Sequence, residues 1–548
     1  MKFDDISGAQ LVVEVLRAEG IDTVFGNSGT TEIDLMRAFN SSPDLRYVLG
    51  LHEGAVMGMA EGYARALRKP SFVNLHAAVG IANALTGLYG CLTTKVPLVV
   101  TAGQQDLRHL LTEPLLASDP VAMVRPVVKW AHEVRYLAEL APALHRAFRQ
   151  AMTPPQGPVF VSLPVNVMAE QGSAETQDVA PVVSAQVGQV DALADLLCST
   201  PVGEIGVVLS ADVDTSGAGP ATLELAETLG SPVWGAPFTG INPFPTGHRL
   251  WRGYLPPMHA DGITDQLVGI RRVLYLGRRL FPLVHYASEP LLPEVELLQM
   301  AETAEDLGRT RPIRLGVAGD LPLTVARLSE AIRQRSGCPG PHPVDPLPPA
   351  RVARRGEATG DAEAERGLSG QPVPAPVLSD ILVRTVPQDT LLVDEAHAVS
   401  QHLRTNYVPS RSGRYFWGEG CGLGWGMPFA VGLSLGYDRE LVVCVVGDGT
   451  AMFCPQALWN AARERVPVVF VVVDNGRYEI LKSQLKAIEP NTRSFVGMDI
   501  DAPPVDFTGL SSALGVEALR AHDAGEFEDA LKVALHRGSA TLIHVDVA

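Results

Sequence analysis

Long uninterrupted apolar runs are missing from this 548-residue chain. The most apolar stretch, Val466 to Val473, falls far short of the roughly 20 residues that a membrane-spanning helix needs. Basic residues are also scarce: 44 Lys and Arg stand against 61 Asp and Glu, a formal charge of −17. That balance builds no broad cationic surface, which argues against nucleic acid or an anionic membrane as the main partner. Six cysteines, at positions 91, 198, 338, 421, 444 and 454, show no CxxC spacing. They suggest no cysteine-based zinc site, and buried free thiols are the expectation. Met1-Lys2-Phe3-Asp4-Asp5 places acids where a secretory leader wants a basic start and an apolar run, so a cytoplasmic protein is expected.

What is present is a globular composition, 46% hydrophobic and 19% charged, with enough apolar material for a large core. At about 150 residues per domain the length suggests three or four domains. Helix-like and strand-like segments alternate along residues 1–180. The strands Thr23-Val24-Phe25, Tyr47-Val48-Leu49, Ser71 to Leu75 and Val96 to Thr101 are separated by helical spacing such as Glu53 to Leu67. A second block, 181–336, alternates in the same way, with Val202 to Leu209 and Arg272 to Gly277 as its clearest strands. Residues 337–376 are rich in Pro, Gly, Ala, Arg and Glu and read as a linker. The third block, 377–548, holds the strands Thr390 to Val393, Leu441 to Val446, Val466 to Val473 and Thr541 to Val547. The expected class is α/β, with three doubly wound parallel-sheet domains. Val96-Pro97 and Val466-Pro467 each introduce a β-branched run, a hint that the first and third blocks are two versions of one fold.

The strongest local signal is an apolar strand ending in Gly447-Asp448-Gly449-Thr450, with Asp474-Asn475-Gly476 ending the next strand. A buried parallel strand that stops at Gly-Asp-Gly delivers a carboxylate to the carboxyl edge of the sheet, where open α/β sheets bind ligands. The glycines let backbone N–H groups approach an anion. Asp448 and Asn475 can both offer hard oxygens, a donor set that suits Mg²⁺ beside a diphosphate. No Gly-Lys-Ser/Thr follows, so a P-loop site is not supported.

Together with Gly26-Asn27-Ser28-Gly29-Thr30-Thr31-Glu32, Glu61-Gly62-Tyr63-Ala64, Asn74 to Gly80, Thr101-Ala102-Gly103-Gln104-Gln105 and Pro243 to His248, these motifs resemble the thiamin diphosphate-dependent 2-oxo acid decarboxylase and acetolactate synthase family, with the benzoylformate decarboxylases nearest. The resemblance covers nearly the whole chain except the linker. It implies a pyrimidine-binding first domain, a middle domain and a diphosphate-binding third domain. It also implies thiamin diphosphate with Mg²⁺, and a homo-oligomer (dimer or tetramer) with active sites between subunits. Glu53 is implied to hydrogen-bond the aminopyrimidine and so promote formation of the reactive ylide. His76 and Thr30 match substrate-handling positions, and His285 lies one residue from the family's second histidine. Leu423 matches the wedge that bends the cofactor, and Cys421 the carbonyl that accepts from its amino group. His397, Gly447, Gly449, Thr450 and Tyr478 fall on diphosphate-side positions. Asp448, Asn475 and the Arg477 carbonyl fall on metal-binding positions. Glu61 is read as a solvated or structural charge.

The reaction so implied is non-oxidative decarboxylation of a 2-oxo acid such as an aryl glyoxylate, through an enamine that is protonated to release an aldehyde. Carboligation of the same intermediate to an acyloin or acetolactate-type product is the enzymatic alternative. A flavin oxidase of this fold would want a dinucleotide fingerprint, and the middle block shows none. An inactive cofactor-binding assembly subunit is the non-enzymatic alternative, against which the retention of Glu53, Leu423, Asp448 and Asn475 speaks.

Overall fold

The computed structural model describes residues 1–177, 186–201, 203–256, 260–286, 292, 294–335, 338, 370–420 and 422–548. Cys421 and most of the expected linker lie outside the described residues.

Val442–Gly447 and Val468–Asp474 are nearly continuous runs of β-branched residues, buried on both faces. Such strands belong in the interior of a parallel sheet covered by helices. Three six-stranded parallel sheets are built in this way. In the first, the order is Arg46–Leu49, Thr23–Asn27, Ser71–Leu75, Leu98–Gln104, Val159–Pro164, Trp130–Glu133. In the third it is Tyr415–Trp417, Leu391–Glu395, Val442–Gly447, Val468–Asp474, Thr541–Asp546, Glu517–Ala521. Numbered along the chain, both sheets read 2-1-3-4-6-5, and Val-Pro precedes the fourth strand in each. The middle sheet, Trp251–Tyr254, Val233–Gly235, Ile205–Leu209, Arg272–Leu276, Glu296–Ala301, Leu315–Ala318, is wound differently, as 3-2-1-4-5-6. A short antiparallel pair, Lys2–Ser7 with Gln171–Glu175, closes the first unit.

Five helices position the site: α1 (Glu53–Leu67), α2 (Ala77–Thr94), α3 (His397–Asn406), α4 (Gly426–Gly436) and α5 (Glu479–Ile488). His52 caps α1, its ring Nδ1 accepting from the Gly54 N–H at 3.0 Å. α1 and α4 press backbone against backbone. A Cβ on Gly62 would stand 2.2 Å from the Phe429 carbonyl oxygen, and one on Gly432 would stand 1.9 Å from that of Met59. Only glycine permits that approach. One apolar cluster accordingly runs from Phe25 and Val73 through Met57 and Phe429 to Val446 and Phe470, so the first and third units share a core. Among the described residues α2 alone has the length and composition of a membrane span. It is a core helix on one side only: Ile81, Ala84, Leu88 and Cys91 are buried, whereas Val79 and Tyr89 are exposed.

Two expectations change. The helix Ala375–Thr385 begins inside the segment that composition assigned to the linker, because Pro376, in the first turn, has a φ already suited to a helix start. Cys91, Cys444 and Cys454 are buried free thiols, but Cys198 and Cys338 form a disulfide with their Cα atoms 4.4 Å apart. The chain following helix Leu321–Arg333 returns to the last turn of Asp191–Cys198, a proximity that sequence spacing does not reveal.

Candidate active site at the sheet edges

A doubly wound sheet opens a crevice where its strand order reverses, at the carboxyl ends of the two strands flanking that point. In the first unit these strands are Thr23–Asn27 and Ser71–Leu75, followed by Ser28-Gly29-Thr30 and by His76. In the third unit they are Leu391–Glu395 and Val442–Gly447, followed by Ala396-His397 and by Asp448. Thr30, His76, His397 and Asp448 therefore fall at two equivalent crevices.

At the first crevice His76 sits between its strand and α2. Its Nδ1 donates to Glu32 Oε2 at 2.9 Å, with Thr31 Oγ1 at 3.2 Å. A carboxylate can only accept, so this contact places the ring proton on Nδ1 and leaves Nε2 as the nitrogen available to a ligand. Glu32 is buried and also accepts from the Gly29 N–H (2.7 Å), the Gly103 N–H (2.9 Å) and Thr31 Oγ1 (2.6 Å). Gly29 lies flat against the imidazole, where a Cβ would come within 2.2 Å of Nδ1. Thr30 opens the adjoining 3₁₀ turn and is exposed. Glu53, the first residue of α1, is buried, with Oε1 accepting from Asn27 Nδ2 at 3.1 Å and Oε2 from Asn83 Nδ2 at 2.9 Å.

At the second crevice Asp448 is buried, accepting from the Gly449 N–H (2.7 Å) and the Gly476 N–H (2.8 Å). Asp474 accepts from the same Gly476 N–H at 3.0 Å. Burial, reinforced by the Asp474 carboxyl, pushes Asp448 up to about 6. Asn475 follows on the turn, its Oδ1 accepting from the Arg477 N–H at 3.2 Å. The Arg477 carbonyl accepts from the Glu479 N–H at 3.1 Å and keeps a second lone pair. Adjacent carboxylates beside a neutral amide oxygen form a donor set that a divalent cation fits. Tyr478 packs on Gly449, and Thr450 Oγ1 donates to the Gly447 carbonyl at 2.9 Å. His397 is the first residue of α3 and is exposed.

Glu395, which the sequence reading passed over, organises the loop before α4. Its buried carboxylate accepts from the N–H groups of Gly424 (2.8 Å), Trp425 (3.2 Å) and Gly426 (2.7 Å). Burial pushes it up to about 7. This grip presents Leu423, which is 39% exposed despite its apolar side chain. Leu423 lines a cavity of about 430 Å³ between α1, α2 and the 416–425 loop, shared with Asn83, Gly54, Phe453 and Cys454. The cavity thus brings the candidate wedge next to the amide that holds Glu53.

Other expectations fare differently. Glu61 is not solvated: it is buried, accepts from Trp425 Nε1 at 2.9 Å and Thr94 Oγ1 at 3.3 Å, and is raised by burial. His285 and Val284 lie after the strand Arg272–Leu276 rather than within one, and both are exposed. The strand alternation that would send them to opposite faces therefore does not apply. His285 is not among the residues lining the cavity. Glu32 and Glu395 carried a faint signal: Glu32 stands three residues after Gly29 in a capping pattern, and Glu395 ends an apolar strand much as Asp448 follows one.

The same three units are found in known proteins. "Thiamine pyrophosphate enzyme, N-terminal TPP binding domain" matches residues 6–123, the central domain of that family 204–328, and its C-terminal TPP binding domain 398–545. The chain belongs to the thiamine pyrophosphate enzyme family. This thiamine pyrophosphate enzyme is 36% identical to a benzoylformate decarboxylase of Pseudomonas aeruginosa over 542 residues, 97% of each chain. It is 27% identical to a putative acetolactate synthase large subunit of Mycobacterium tuberculosis, over 99% of each. Among solved structures, a 4-hydroxybenzoylformate decarboxylase of Rhodococcus jostii matches with a TM-score of 0.88 at 31% identity, over 99% of both chains. The resemblance read from the motifs and the three parallel-sheet units are both borne out.

Proposed function

We propose that this thiamine pyrophosphate enzyme carries out non-oxidative decarboxylation of a 2-oxo acid, with an aryl glyoxylate such as benzoylformate as the first substrate to test, and depends on Mg²⁺. The supporting observation is the single cavity lined by both Leu423 and Asn83, the latter hydrogen-bonded to Glu53. When bound, the cofactor supplies the carbon nucleophile and the electron sink that decarboxylation requires. Glu53 holds a proton at its carboxyl oxygens for exchange with a ring nitrogen, screened from water by Asn27 and Asn83. Leu423, exposed to the cavity, would pack against the cofactor. Asp448, Asn475 and the Arg477 carbonyl would hold the metal, with Gly447, Gly449, Thr450, Tyr478, His397 and the Cys421 carbonyl on the cofactor side. His76, with its tautomer set by Glu32, orients the substrate carboxylate and moves a proton at Nε2. The Thr30 hydroxyl donates to the same carboxylate. His285 enters this reading only where a second subunit carries it to the cleft.

The same reading takes the enzyme to be a cytoplasmic homodimer or homotetramer divided into units 1–180, 181–336 and 377–548. The exposed face of α2, on a helix whose other face is core, supports a second copy packed there. Acetolactate synthase-type carboligation is the second reading, favoured by the full-length match to an acetolactate synthase subunit. The test is a panel of 2-oxo acids, with and without acceptor aldehydes, with products identified by mass. Aldehyde and CO₂ from aryl glyoxylates support decarboxylation. A hydroxyketone as the main product transfers the assignment to carboligation, and no turnover with Mg²⁺ and cofactor present refutes both.

A further inference from the structure

A second cavity, of about 160 Å³, lies where all three units meet. On a chain whose net charge is −17, its lining is cationic: Arg65, Arg68 and Lys95 from the first unit, Arg411 and Arg414 from the third, and Asp214 as the one carboxylate. Two of these cations are committed. Arg414 pairs with Glu440 at 2.7 Å and covers the Tyr437 ring, and Arg68 lies 3.6 Å from Asp214. Arg65 donates to the Thr94 carbonyl at 3.1 Å and faces the buried Glu61 carboxyl. Among the described residues neither Lys95 nor Arg411 has an ion pair within 4 Å. Lys95 is half-buried, and desolvation followed by the Arg278 guanidinium lowers its ammonium below the usual lysine range. Asp212 and Asp306 face Lys95 from outside the cavity, but on the cavity wall itself four guanidinium groups and this half-buried ammonium meet one carboxylate, an imbalance that a bound anion would neutralise.

The geometry points to a binding site for a small, doubly charged oxyanion at this junction, distinct from the cofactor crevices. Its volume admits a phosphate or a short dicarboxylate and excludes a nucleotide. Guanidinium groups suit either, since their paired N–H donors match two oxygens at once. Because Arg68, Lys95 and Arg411 come from separate units or segments, an anion held among them ties the first unit to the third.

The test uses the holoenzyme, saturated with cofactor and Mg²⁺ so that the diphosphate crevice is filled. Inorganic phosphate and malonate are titrated separately by calorimetry, and thermal midpoints are compared with those in chloride at equal ionic strength. The expected result is saturable one-to-one binding of at least one of the two probes, with the midpoint raised by about 2 °C or more at saturation. Arg411→Gln and Lys95→Gln, both outside the catalytic machinery, should each weaken that binding about tenfold, and Arg411→Gln changes an exposed side chain that leaves folding intact. Binding of malonate alone identifies the ligand as a dicarboxylate, and binding of phosphate alone as a phosphate. Absence of binding by both, or equal affinity in wild type and both variants, overturns the site.

Discussion

Replacing Glu32 by Gln perturbs one atom of the candidate site and leaves its shape intact. In the wild-type chain Oε2 accepts from the Gly29 N–H and His76 Nδ1, while Oε1 accepts from the Gly103 N–H and Thr31 Oγ1. A glutamine can present its oxygen to only one of these pairs. With the oxygen toward His76, the Gly103 N–H faces an NH₂ group. With it toward Gly103, the imidazole loses its acceptor and the Gly29 N–H is stranded. Either way a buried donor is left unpaired at about 1–3 kcal/mol, and the contact to His76 weakens from charge-assisted to neutral or is lost. If about 1.4–2.8 kcal/mol of this is felt in the transition state, kcat/KM falls roughly 10- to 100-fold. The assay is steady-state decarboxylation of benzoylformate from acid to alkaline pH, with a thermal melt alongside. Loss of the imidazole's carboxylate partner should lower kcat/KM at temperatures well below the melting midpoint, an effect that reduced stability alone does not produce. A variant with kcat/KM within about twofold of wild type across that pH range, below its melting midpoint, would falsify the positioning role.

Glu53→Gln should lower kcat by more than about 100-fold while calorimetry still detects cofactor binding; wild-type turnover would exclude the carboxyl from proton transfer. Asp448→Ala should weaken thiamin diphosphate retention most at limiting Mg²⁺, and identical retention curves across a Mg²⁺ titration would remove it from the metal site. Glu395 is raised to about 7 in the folded chain, so its contribution is full below the ordinary glutamate range and is lost as pH rises through 7. Relative to Glu395→Gln, wild type should therefore lose up to about 3 kcal/mol between pH 4.5 and pH 8, and a pH-independent difference in denaturation free energy would contradict this. Gly432→Ala puts a methyl 1.9 Å from the Met59 carbonyl oxygen; the expected cost is about 3 kcal/mol or more, read as a lowered melting midpoint, and an unchanged midpoint would show that the two helices are not so close.

Much of the fold was legible because parallel strands buried on both faces announce themselves. Ser71 to Leu75 and Glu53 to Leu67 were read with the boundaries that the structure has. Boundaries slipped at Val96 and Val466, where the strands begin only after the proline, at Leu98 and Val468, since proline cannot donate to the ladder. The positions of Asp448, Asn475, Glu53 and His76 were legible from motifs. Their supports were not. Glu32 and Glu395 work through backbone N–H groups brought from Gly103, 71 residues on, and from Gly424 to Gly426, and no local pattern records a partner that far away. Which of the two readings of Glu61 holds, solvated or structural, was hidden for the same reason: it is buried and structural, and its partner Trp425 lies 364 residues away.

The shared winding of the first and third sheets gives every position in one a counterpart in the other. His76 and Asp448 hold the same address, the first residue after the third strand, one proposed to move a proton and the other to hold a metal ion. α1 and α4 likewise each follow the second strand of their unit, and they meet through reciprocal glycines. The polypeptide thus carries one winding twice, in two units joined by a reciprocal helix contact. The consequence is that a substitution at either glycine of that contact would loosen both units at once.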